Sequence, residues 1–244
     1  MEFSQILFVL AGALAGGFVN GLTGFGTGIT AMGLWLYAIS PMVAASLAII
    51  CATVSQLQTL PIIWRSFEWS RVLPYIIPGL LGIPIGTLLL PVIDQRTFKI
   101  GVGIFLVAYP TYVSVRKSNT GSRWGGLAAD GAIGFGGGMM GGLTGFPGPL
   151  LIFWTDIRGL TKEHRRSVLQ GFNLTILSVA LASHAAFGLL TSEVGLATAA
   201  ALPGTIIGAW LGATIYKRLG DHGFRQVVMM LLFLSGATLI WTSW

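Results

Sequence analysis

The chain has a single cysteine, three histidines and eight acidic residues in 244. One thiol, Cys51, leaves no intrachain disulfide and no cysteine-built metal site. Neither G-x-S-x-G nor H-E-x-x-H occurs, and no two acids share an apolar run. The residue sets that support nucleophilic, zinc or carboxylate-dyad catalysis are therefore missing, so neither an enzyme nor a bound cofactor or metal is expected. Charge of either sign is scarce: 9% of residues are charged and 54% are hydrophobic, with a mean hydropathy of +0.80. A water-soluble domain of this size would aggregate with that composition, so the expectation is an all-α polytopic protein whose main partner is the lipid bilayer. The opening MEFSQ has no positive n-region and no small-residue cleavage site follows, so the first apolar segment is expected to stay in the protein.

What the chain does have is long apolar runs. Segments 42–64, 72–91, 98–115, 167–189, 194–216 and 224–242 each suit one helical crossing of about 30 Å. Two further runs, 5–38 and 126–155, are too long for one crossing. The net charge of +6 does not indicate nucleic acid, because all fourteen Lys and Arg lie in short connections between apolar runs, where they act as topology signals.

Each overlong run is interrupted at the same place by the same letters: NGLTGFGTG at 20–28 and GLTGFPGP at 142–149. Pro78-Gly79, Gly82, Gly86, Phe98 and Lys99 also find counterparts at Pro203-Gly204, Gly208, Gly212, Phe224 and Arg225. The spacing is 121 at the first motif and 125 to 126 at the second, which puts about five extra residues in the polar 156–166 connection. The chain reads as a tandem duplication, residues 1–117 and 124–244 joined by a linker at 118–123.

Charge decides how the copies face. If both overlong runs cross once, Lys and Arg divide five against nine between the two sides. If each run returns to the side it came from, one side keeps only Arg96 and Lys99, and the other collects the remaining twelve. The second count is a clear positive-inside pattern. It implies three full crossings plus one hairpin per copy, with arms of about 15 residues, and copies that are inverted because three is odd. Re-entrant hairpins and two short, tilted crossings satisfy this count equally.

Broken backbone at membrane depth needs protein or a polar cavity around it. Pro147 and Pro149 fit a break and the first turn of a new helix but not a helix interior. The half-helices expected at 27–38 and 149–155 begin with free N–H groups and a positive dipole end, which suits an anion. Asn20, Thr23, Gly24, Phe25, Gly26 and Thr27 would line the site from the first break. Thr144, Gly145, Phe146 and Gly148 would do so from the second, with Thr23 and Thr144 each adding a hydroxyl donor. Gln56 and Asn173, with Thr53, Gln58, Gln170 and Thr175 nearby, serve either as a polar path or as interhelical glue. Gly12, Gly16, Gly134 and Gly138 read as packing faces, and His184 as a hydrogen-bonded structural histidine. Asp130, an acid inside an apolar run, is expected to pair with Arg123 or to act in function.

The duplicated NGLTGFGTG and GGGMMGGLTGFPGP elements, with the repeated Pro-Gly-x2-3-Gly-x3-Gly helix, resemble the sulfite exporter TauE/SafE (TSUP) family along essentially the whole chain. That resemblance implies a multi-pass permease of the bacterial inner membrane with duplicated three-helix modules. It also implies secondary transport, often outward, of small sulfur-containing anions such as sulfite or organosulfonates. An anion channel and a carrier of small carboxylates are the alternatives left open.

Overall fold

A computed structural model describes residues 2–63, 69–115, 126–160 and 162–216, together with 233, 237 and 240. Among the described residues every regular element is an α-helix: α1 (Phe3–Thr23), α2 (Thr27–Ala38), α3 (Pro41–Ile63), α4 (Trp69–Leu89), α5 (Gln95–Val115), α6 (Gly126–Thr144), α7 (Gly148–Ile157), α8 (Lys162–Ala186) and α9 (Ser192–Tyr216). Among the described residues five stretches are long and apolar enough to cross a membrane: α1, residues 41–60 of α3, α4, residues 167–186 of α8, and most of α9. The run expected at 224–242 and the linker at 118–123 lie outside the described residues, except that 233, 237 and 240 are helical.

Two helix pairs are fused by rows of small residues. On α4, a Cβ at Gly82 or Gly86 would overlap the carbonyl oxygen of Phe135 or Met139 on α6. In return, Gly134, Gly138 and Gly142 of α6 face the backbone of Tyr75, Gly79 and Ile83. Both series rise together, so α4 and α6 run parallel with their backbones in contact, as small-residue faces allow. α1 and α9 pack the same way, Gly17 and Gly21 against Thr205 and Ala209, and Gly208 and Gly212 against Leu14 and Phe18. α4 also carries Pro74, Pro78 and Pro84 inside the helix, and α9 carries Pro203.

Between these pairs lie α3 and α8, which cross antiparallel: Ser46 bonds His184 at 2.9 Å towards one end, and Gln170 Nε2 donates to Thr59 Oγ1 at 2.9 Å towards the other. The apolar side chains of α4 and α9 that point away from the bundle stay exposed, among them Leu81 at 68% and Trp210 at 65%, as a lipid-facing surface requires.

Each overlong run forms an antiparallel hairpin. Trp35 Nε1 donates to the Val9 carbonyl at 2.9 Å and Gln5 Nε2 to the Ala38 carbonyl at 3.0 Å, so the end of α2 is level with the start of α1. In the second hairpin, Arg158 reaches the Gly126 carbonyl at 2.8 Å. The arms are not the equal halves that length suggested. α1 has 21 residues and α2 has 12, roughly 31 and 18 Å at 1.5 Å per residue; α6 has 19 and α7 has 10. The first arm persists through Gly16, Gly17 and Gly21 because those glycines are packed against α2 and α9. The helix stops only where the backbone turns left-handed, at Gly24 (φ 79°) and Gly145 (φ 75°).

Candidate functional site

The first break occupies residues 24–26. Gly24 donates its N–H to the Asn20 carbonyl at 2.6 Å, and Gly26, at φ 101°, starts α2 without any side-chain cap. An uncapped start leaves the first N–H groups of α2 without intrahelical partners. The second break, 145–147, closes with Gly145 N–H on the Gly141 carbonyl at 3.0 Å. Pro147 sits in the break and Pro149 in the first turn of α7, where a missing N–H costs nothing.

The two breaks meet. A Cβ on Gly28 would lie 3.1 Å from both the Gly145 carbonyl oxygen and the Phe146 ring. Gly145 itself is pressed against Ala45, Ala48 and Ile49 of α3. Beside this contact is a small cavity of about 20 Å³. The first break contributes Asn20, Phe25, Gly26, Thr27 and Gly28; the second contributes Gly145, Phe146, Pro147, Gly148 and Pro149. The antiparallel pair closes it with Ala52 and Gln56 of α3 and Asn173 and Leu177 of α8. None of these lining residues is charged. Polarity comes from the helix starts and from three buried amides, Asn20 at 0%, Gln56 at 1% and Asn173 at 3% exposure. Asn20 Nδ2 donates to Thr27 Oγ1 at 2.7 Å and Gln56 Nε2 to the Gly24 carbonyl at 2.9 Å. Their oxygens, and that of Asn173, have no hydrogen-bond partner in the protein.

Of the residues expected at the site, nine line the cavity and three do not. Thr23, Gly24 and Thr144 lie behind the wall. The hydroxyls of Thr23 and Thr144 are not free donors as expected. Thr144 Oγ1 donates to the Met140 carbonyl at 2.7 Å. Thr23 Oγ1 is shared between the Val19 and Phe25 carbonyls and accepts the Phe25 N–H at 3.2 Å. Thr23 thereby ties the first break to α1, and Thr144 bonds within its own helix. The remaining polar candidates also separate: Thr53 and Thr175 bond carbonyls of their own helices, Gln170 bonds Thr59, and Gln58 is exposed on the outside of α3. Ala52 and Leu177 escaped the sequence reading because they are apolar. The only signal for them is that each lies one helical turn from a polar wall residue, Gln56 or Asn173.

Two other singled-out residues lie off the cavity. His184 is fully buried, its Nε2 at 2.7 Å from the Gly142 carbonyl, which can only accept, so Nδ1 accepts from Ser46. It ties α8 to α6 and α3. Asp130 pairs with Arg158; Arg123, the partner expected for it, lies outside the described residues. Arg158 Nη2 reaches both carboxylate oxygens at 2.9 Å. Tyr75 OH at 3.0 Å and Trp154 Nε1 complete the shell. The carboxylate lies at the base of the second hairpin, with Oδ1 taking the Tyr75 and Trp154 bonds and Oδ2 only that from Arg158. Among the described residues no cluster of His, Cys, Asp or Glu is placed to hold a metal ion.

The family model described as Sulfite exporter TauE/SafE matches residues 8–239 of the chain. No curated protein and no solved structure matches it.

Proposed function

The chain belongs to the sulfite exporter TauE/SafE family and is a multi-pass membrane protein of that transporter family, and from this we propose that it carries small sulfur-containing anions, sulfite or organosulfonates, outward across a bacterial inner membrane. The observation that carries the reading is the convergence of two helix starts, α2 and α7, on one buried cavity with unpartnered amide oxygens. Each helix start presents roughly half a positive charge, and glycine lets a ligand approach the backbone closely. The cavity is small, with about 20 Å³ of free space, which excludes a drug-sized ligand.

We read the chain as two inverted copies, 1–117 and 124–244, with the cavity at their meeting point. In support, α3 and α8 hold equivalent places in the two halves and cross antiparallel. The halves also exchange partners reciprocally, α1 packing on α9 and α4 on α6. Alternating access then consists of one copy moving against the other around a fixed site. A monoanion leaving an interior-negative cell gains roughly 2.3 kcal/mol per 100 mV, so export runs downhill without a coupling acid. The pairing of Asp130 with Arg158 agrees with that. The twelve Lys and Arg assigned to the cytoplasmic side would concentrate anions at the inner mouth.

The test is equilibrium binding to purified protein of sulfite, sulfate, sulfoacetate, taurine and simple carboxylates. Saturable binding of a sulfur anion, weakened by Asn173→Leu, is the expected result. Preference for the carboxylates, or binding indifferent to that substitution, would contradict the assignment.

A further inference from the structure

Resting on the carrier reading, we propose that the cavity selects a singly charged oxyanion that carries its own hydrogen-bond donor, and that Gln56 is the residue that reads this donor. The amide of Gln56 has only one sensible orientation. Its Nε2 lies 2.9 Å from the Gly24 carbonyl oxygen, which can only accept, so a flip would set two oxygens against each other. Oε1 is thereby fixed as an acceptor, with no partner in the protein, on a side chain that is 1% exposed and lines the cavity. Asn20 is different: its partner Thr27 Oγ1 can donate as well as accept, so this amide can turn either end to a ligand. The wall therefore combines donors at the two helix starts with one obligatory acceptor.

A fully ionised oxyanion has acceptors only. Seated against the helix starts, it would leave Gln56 Oε1, on a side chain 1% exposed, without a donor, and an unpaired buried acceptor carries its full desolvation cost. An anion with one O–H or N–H satisfies both kinds of wall group. Charge argues the same way independently. The two helix starts together offer about one positive charge, and no lining residue adds a cation, so the second charge of a dianion would be desolvated without compensation. The favoured class is the hydrogen oxyanions, such as hydrogensulfite, and the hydroxyalkanesulfonates. Sulfate, fully deprotonated sulfite and simple alkanesulfonates are disfavoured.

Methylphosphonate and methanesulfonate test this directly. In mildly acidic buffer both are tetrahedral monoanions of the same shape, and they differ by one O–H. Titrated into the full-length protein, methylphosphonate should bind at least about tenfold more tightly, the size of one hydrogen bond to a buried acceptor. Its affinity should fall as rising pH removes that proton, while methanesulfonate stays flat. Gln56→Met should reduce the preference to near unity. The pH series on the unaltered protein stands by itself should that variant fold poorly. Equal affinities, or methylphosphonate binding that strengthens on deprotonation, would overturn the donor requirement and leave the carrier reading intact. Failure of both anions and of sulfite to bind at any pH would overturn the carrier reading and this inference together.

Discussion

The two hairpins share a break and differ at the base. At the break each has a left-handed glycine, a threonine bonded to the carbonyl four residues back and a short uncapped or proline-started helix facing the same cavity. At the base the first is closed by neutral bonds, Trp35 to the Val9 carbonyl and Gln5 to the Ala38 carbonyl. The second is closed by the Asp130–Arg158 ion pair with Trp154 and Tyr75 around it. Val9 and Asp130 stand 121 residues apart, the spacing of the motif itself. Where both halves keep one chemistry the geometry serves the cavity; where they diverge, either solution holds two helices together.

The sharpest way to break this comparison is to ask whether the two bases open on opposite sides of the membrane. In a Cys51→Ala background, Ser4→Cys should label only from outside and Glu163→Cys only from the cytoplasm, an all-or-none difference. Labelling of both from one side would mean that the hairpins are not inverted.

At the breaks, Gly145→Ala should be the most damaging single change. The left-handed backbone costs a Cβ roughly 1–2 kcal/mol, and that Cβ would lie 2.8 Å from the Ala48 side chain and 2.9 Å from the Ile49 nitrogen. Anion flux per folded molecule should fall by an order of magnitude or more. Retention of full flux would show that the break geometry is not what shapes the site.

The base should behave in the opposite way. Asp130→Asn strands a guanidinium that is 17% exposed, and should cost about 2–4 kcal/mol of thermal stability. Transport by the molecules that remain folded should persist under an imposed potential. Loss of transport in a well-folded Asp130→Asn protein, with substrate-driven proton movement in the unaltered one, would make this base a coupling site. The smallest effects belong to Thr144→Val, which removes a bond to a carbonyl of its own helix: under about 1 kcal/mol of stability and unaltered anion affinity. A tenfold loss of affinity with normal folding would return Thr144 to the ligand.

The breaks were legible because glycine, proline and threonine in a lipid-facing helix need a reason, and finding them twice at one spacing located both turns. Gln56 and Asn173 stood out as amides in apolar helices. The thresholds of legibility are physical. A threonine hydroxyl without water turns to the carbonyl four residues back, so a hydroxyl at a turn is weak evidence for a ligand. Arg158 lies 28 residues from Asp130, and only the hairpin brings them together. Ala52 and Leu177 carry no polar mark, and the unequal arms follow from packing against α9, which no local pattern reports. The 224–242 helix lies outside the described residues apart from three helical positions.

The central claim is that an anion passes through the cavity between the two helix starts. The most direct measurement is potential-driven sulfite flux in proteoliposomes by the unaltered protein and by a Gln56→Leu, Asn173→Leu double variant, at matched amounts of folded protein. The account predicts flux that rises with a potential favouring anion exit, and a loss of roughly a hundredfold in the variant, the sum of two amide contacts at about 1.4 kcal/mol each. Undiminished flux in a folded double variant would place the path elsewhere and contradict the account.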